Sequence, residues 1–137
     1  MAEDWNSNVI SEFRANAGKV GGMFEGMPLL LLHTTGAKSG NERINPLAYR
    51  SDGDALVVFA SKGGAPSNPD WFHNVRANPK VTVEVGTDQH EMVARVAEAD
   101  ERNRLWEAQK VEFPNFADYE TKTDRQIPVV ILDPVSA

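Results

Sequence analysis

Two tight turns constrain this chain more than any other feature. "SDGD", at residues 51–54, separates the strand-like segments 43–50 and 55–61, and "GTD", at residues 86–88, separates 80–85 from 89–97. In the second pair apolar and polar residues alternate. A short glycine-bearing connection between two such segments closes an antiparallel hairpin, because glycine supplies the positive φ that matches the twist of paired strands. The apolar segment 29–35 precedes the first hairpin and extends it to a three-stranded meander, and "IPVVILD", at 127–133, supplies a sixth strand.

Between the strands the apolar spacing changes to that of helices. Val9, Ile10, Phe13 and Ala17 place an amphipathic helix over 6–17, with Gly18, Gly21 and Gly22 behind it as stop signals. Residues 68–79 read as a two-turn helix, opened by an Asn68 cap and Pro69 and closed at Asn78-Pro79. From Asp100 a capped helix carries Leu105, Trp106, Gln109 and Phe113 on one stripe, and 114–126 reads as broken helix or loop. The pattern predicts an α+β fold, a split β-barrel of about six mainly antiparallel strands with three to four helices at its edges. At 137 residues the chain makes one domain, 1–137, with 1–25 as an N-terminal helical extension.

Composition excludes several classes. There is no cysteine, so disulfides, thiolate nucleophiles and cysteine-held metal clusters are out, and any redox chemistry must come from a cofactor. The longest strongly apolar run, residues 26–32, is far short of the roughly 20 residues a membrane span needs. The N-terminus lacks the pattern of a secretory signal. A cytoplasmic location is expected; contact of the N-terminal helix with the inner membrane face is the less favoured reading, since its polar face is not rich in lysine. The net charge of −6 argues against a nucleic-acid partner, yet residues 36–80 carry +2 while the remainder carries −8. A locally basic middle suits one small anionic ligand.

Two glycine turns lie in that middle. In "HTTGAKSGNERINPL", at 33–47, Lys38 and Ser39 follow a glycine, but the spacing is not that of a phosphate loop and a strand follows where a helix is required. Two readings stay open: a solvated hairpin turn, or an anion nest built from backbone N–H groups with Lys38, Ser39 and Arg43. In "ASKGGAPSNPDW", at 60–71, adjacent glycines let the backbone approach a flat ligand, with Ser61 and Lys62 as donors; a plain loop is the bland alternative. His33, His73 and His90 are too scattered to hold a metal, and no nucleophile elbow is present. Phe113, Phe116 and Tyr119 repeat every three residues around Pro114, as core packing or as a lid over a planar substrate.

The order "TTGAKSGNERINPL", "VVFASKGGAPSNPDWFHNVRANPKV", "FPNFADYETKTDRQIPVVILDP" resembles the deazaflavin-dependent nitroreductase family, whose members are F(420)H2-dependent nitro- and quinone reductases of actinobacteria. The resemblance spans 29–134. It implies a barrel related to the flavin mononucleotide-binding barrels, with coenzyme F(420) in place of a flavin; flavin mononucleotide (FMN) is the alternative cofactor. It puts the coenzyme's phosphate and acidic tail at Ala37, Lys38, Ser39 and Arg43. The ring would lie along Ile44, Asn45, Pro46, Leu47 and Ala48, with Ala60, Ser61, Lys62, Gly63 and Gly64 opposite. Asp70, Trp71, Phe72, His73 and Asn74 would close over the cofactor, with Phe116 stacked nearby. Phe113, Phe116 and Tyr119 would contact the substrate, and Ser61 and Tyr119 would hold the acceptor oxygen. The family often carries tyrosines in this aromatic series, whereas here only Tyr119 keeps a hydroxyl, which leaves quinone reduction open. The implied partner is a quinone or nitroaromatic acceptor, and the implied assembly a monomer or homodimer. A non-catalytic deazaflavin-binding module is the rival from another class.

Overall fold

In the computed structural model, which describes residues 2–18, 29–38, 40–60, 68–123 and 126–135, the chain order is α1 (Ala2–Ala15), β1 (Leu29–Thr35), β2 (Glu42–Asp52), β3 (Ala55–Phe59), α2 (Asp70–Ala77), β4 (Lys80–Val85), β5 (Asp88–Val96), α3 (Ala99–Glu112), α4 (Asn115–Thr121) and β6 (Val129–Pro134). Both anticipated hairpins form: Asp52 pairs with Ala55 and Val85 with Asp88, and Gly53 and Gly86 take positive φ in the two turns. The six strands close as β1-β2-β3-β6-β5-β4, every pair antiparallel.

The burial of each strand follows from what lies outside it. Leu29, Leu31, Val129 and Ile131 face outward, yet they are as buried as their inward neighbours Leu30, Leu32, Val130 and Leu132. The outer pair on β1 is covered by Val9 and Phe13 of α1, and the outer pair on β6 by Leu105 and Trp106 of α3. Strands covered on both faces read as unbroken apolar runs, as "LLLL" and "VVIL" do. On β5 only Met92 and Ala94 are buried. One barrel end is filled by Trp71, Phe72 and Val75 of α2, packed on Leu32, Val81 and Ala94.

Several boundaries differ from the sequence expectation. The first helix ends at Ala15, because Ala17 and Gly18 turn left-handed and the Gly18 N–H closes on the Phe13 carbonyl at 2.8 Å. Pro69, not Asn68, holds the cap position of α2. The helix expected from Asp100 starts at Ala99 after an uncapped Glu98, and 115–121 is a true helix. Both bracket Pro114, which cannot continue α3.

Candidate functional site

The barrel is split on one side. β2 pairs with β1 from Glu42 to Ala48, but its ladder to β3 begins only at Tyr49. For seven residues one edge of β2 therefore carries backbone N–H and C=O groups with no strand beside them among the described residues. Pro46, which cannot donate to a ladder, falls in this half, where an edge tolerates it. Ile44, Asn45, Pro46, Leu47 and Ala48 are all half-buried, neither core nor surface. Ala48 packs both on the cluster under α1 and on the cluster under α3 and α4, so the outward face of β2 is the floor between those helices.

At the head of this edge lies the first glycine turn. The Gly36 N–H donates to the Asn41 carbonyl at 2.8 Å and the Gly40 N–H to the Gly36 carbonyl at 3.0 Å. The Ala37 N–H donates to Asn74 Oδ1 at 2.9 Å, Asn74 Nδ2 donates to Thr34 Oγ1 at 3.2 Å, and Asn78 Nδ2 donates to the Thr35 carbonyl at 3.3 Å. This changes the nest reading: the N–H groups of Gly36, Ala37 and Gly40 are spent inside the fold, so an anion here is gripped mainly by side chains. Lys38 and Arg43 are exposed and form no ion pair among the described residues, as that role requires. Ser39 lies outside the described residues.

Asn74 thus stands behind the turn and positions it. Trp71 and Phe72 are also placed inward, filling the barrel end, while Asp70 and His73 are exposed. Of the segment expected to close over a cofactor, then, only Asp70 and His73 present side chains to solvent. Asn78 was missed; the signal available was a pair of asparagines four apart, Asn74 on α2 and Asn78 at its C-terminal cap, both reaching β1 or the turn after it. Ala60 is fully buried, and its N–H donates to the Pro128 carbonyl at 3.0 Å. The expected site residues Ser61, Lys62, Gly63 and Gly64 lie outside the described residues.

The aromatic series divides. Phe116 is core: its ring lies 5.7 Å from Phe59, 6.1 Å from Trp106 and 5.2 Å from Tyr119, all edge-on. Phe113 and Tyr119 are half-buried on the rim of that cluster. Glu120 ties α4 to α3, accepting from Trp106 Nε1 at 2.7 Å and from Lys110 at 3.1 Å. Burial opposes its charge, but these two bonds hold its carboxyl below the usual range. At the foot of the β2 floor, Arg50 donates to Gln109 Oε1 and Glu112 Oε1, both at 3.0 Å.

The α1 wall is latched by charge. Arg14 meets Glu84 at 2.7 Å, Glu84 meets His33 Nε2 at 2.6 Å, and His33 Nδ1 lies 3.2 Å from Glu42. Among the described residues no group of histidines and carboxylates could hold a metal ion, and no helix is long and apolar enough to cross a membrane.

Comparison with known proteins fits this geometry. The F(420)H2-dependent quinone reductase family model matches residues 5–134. An F(420)H2-dependent quinone reductase of Mycobacterium tuberculosis is 40% identical over 124 residues, covering 88% of this chain and 83% of the relative. Among solved structures, an F(420)H2-dependent reductase superposes with a TM-score of 0.71 at 43% identity, over 77% of this chain and 94% of its own. A second, described as a domain-swapped dimer, superposes with a TM-score of 0.73 at 38% identity, over 97% of this chain and 100% of its own. A pyridoxamine 5′-phosphate oxidase-like protein of Listeria innocua, 15% identical with a TM-score of 0.57 over 99% of this chain and 95% of its own, shares the fold alone. With the family model matched over nearly its whole length and a relative at 40% identity, the chain belongs to the F(420)H2-dependent quinone reductase family.

Proposed function

We propose that this protein reduces quinones, and nitroaromatic compounds of similar shape, with reduced coenzyme F(420) held along the open edge of β2. The observation that carries the reading is the half-strand Glu42–Ala48, which among the described residues is unpaired on one side and is headed by two cations, Lys38 and Arg43, that no carboxylate neutralises. These residues suit a flat heterocycle with an anionic tail. Bound, the coenzyme supplies the hydride.

The chain's own residues do the rest. Lys38 and Arg43 take the anionic tail in charge-assisted contacts, and Asn74 keeps their turn in register with the strand. The edge of β2 that no described strand pairs offers backbone donors and acceptors to the polar rim of the ring. Phe113 and Tyr119 wall the acceptor's side and exclude water, and Ser61 and Tyr119 are the proposed contacts to its oxygen. No residue here needs to be a strong acid or base. The dimeric relative supports a homodimer as the working form.

The test is an absorbance titration with F(420) and separately with FMN, followed by rapid mixing of the protein and reduced F(420) with menadione. Saturable binding of F(420) and its oxidation by the quinone are expected. Binding of flavin alone overturns the cofactor assignment, and tight binding without turnover leaves a carrier module in place of an enzyme.

A further inference from the structure

Gln109 is fully buried, yet its Nε2 has no hydrogen-bond partner among the described residues. The orientation of the amide is dictated by chemistry. Its oxygen faces the Arg50 guanidinium at 3.0 Å, and turning it over would set donor against donor. The free end is therefore an N–H donor. Buried donors are almost always satisfied, so one left free in a native core calls for a partner that the described residues do not provide.

The placement says which partner. Arg50 lies two residues beyond Ala48 on the outward face of β2, the face that floors the groove, and the same Nη1 that meets Gln109 also donates to Glu112 at 3.0 Å. On α3, Gln109 is one turn before Phe113, which packs half-buried on the same cluster as Ala48. Gln109 thus joins Arg50, on the strand assigned to the cofactor, to the stretch of chain that carries Phe113, the ring assigned to the acceptor. Glu112 balances the Arg50 charge, so the site does not call for an anion.

Resting on the functional reading above, we propose that Gln109 Nε2 receives the oxygen of the electron acceptor, a quinone carbonyl or a nitro oxygen, and that Arg50 and Glu112 orient the amide for it. Reduction of a quinone to a hydroquinone takes one hydride, from the reduced coenzyme, and one proton, from water. Gln109 gives up neither. It donates a hydrogen bond that strengthens as negative charge builds on the oxygen, in surroundings where water cannot compete. Because Gln109 is fully covered, the acceptor reaches it by displacing a neighbour, and the half-buried Phe113 ring, at the break between α3 and α4, is the one assigned to move.

The test compares wild type with Q109L, using reduced F(420) and two acceptors: menadione, and N-methylphenazinium, a hydride acceptor with no oxygen at its reacting centre. The expected result is a loss of kcat/KM for menadione of about tenfold or more, with the phenazinium rate, F(420) affinity and melting temperature held. Equal losses on both acceptors, or none on either, overturn the assignment. Should Q109L melt early, Q109M, unbranched like glutamine, makes the same comparison. Wild-type protein that oxidises reduced F(420) with neither acceptor refutes the functional reading itself, before any variant is made.

Discussion

Asn74 accepts the Ala37 N–H at 2.9 Å and donates to Thr34 Oγ1 at 3.2 Å, so one buried side chain on α2 hangs the cation-bearing turn from the helix that fills the barrel end. N74A removes both contacts and leaves the Ala37 N–H without its partner. The expected cost is about 1–3 kcal/mol of stability, read from urea unfolding. F(420) affinity should fall as well, although Asn74 sits behind the turn. No charge is removed, so the slope of affinity against salt should stay as in wild type.

The salt slope separates this positioning effect from direct contact. Lys38 and Arg43 are exposed and outside the ion pairs of the described residues, so K38A and R43A together should leave stability within roughly 0.5 kcal/mol of wild type. F(420) affinity should drop by about tenfold to a hundredfold, less than two buried charge-assisted bonds would give, because both groups are solvated. The residual binding should depend less on salt. Unchanged affinity in the fluorescence titration removes the anion site from this turn.

How much of this was written in the sequence depends on whether the cause is local. The hairpins, the meander and the strand at 127–133 were legible because alternation and turn glycines are properties of neighbouring residues. The two chief errors, the Asn68 cap and the extent of the first helix, concern chain ends, where competing local bonds decide. The cationic turn was legible as a charge pattern, but not the loss of its Ala37 N–H to Asn74, since residues 37 and 74 meet only through the fold. The resemblance puts Trp71 and Phe116 beside the ligand, and both side chains are buried in the core, a placement that sequence does not reveal because large aromatics serve both cores and flat ligands. Gln109 was visible as the polar member of an apolar stripe, and only the Arg50 contact shows which end of its amide is free.

The glycines at the α1 end and in the cationic turn make a contrast. Gly18 has φ +96°, and a Cβ there would stand 2.9 Å from the Gly86 Cα, backbone against backbone; Gly40 has φ +74° with open space around it. G40A should cost about 1 kcal/mol, the conformational penalty alone. G18A should cost more, about 2–3 kcal/mol, because the α1 end must also move off the β4–β5 turn. Since α1 walls the groove through Val9 and Phe13, G18A should weaken quinone turnover too. Chemical denaturation and steady-state kinetics on the two variants check the order.

Acid should loosen the same wall. The hydrogen bond from Arg14 holds the Glu84 carboxyl below its ordinary range despite partial burial, and His33 adds to the effect. A carboxyl whose value is lower folded than unfolded makes the unfolded chain bind more protons as pH falls through that interval. Its contribution is therefore complete above the ordinary carboxyl value, about 4.5, and is lost as pH drops through the depressed one. E84Q should accordingly be less stable than wild type near neutral pH, by no more than about 1 kcal/mol because Arg14 is half exposed. The gap should close as pH is lowered from about 6 toward 3. A gap that is constant with pH would mean that Glu84 acts through packing, with its charge contributing nothing to the docking of α1.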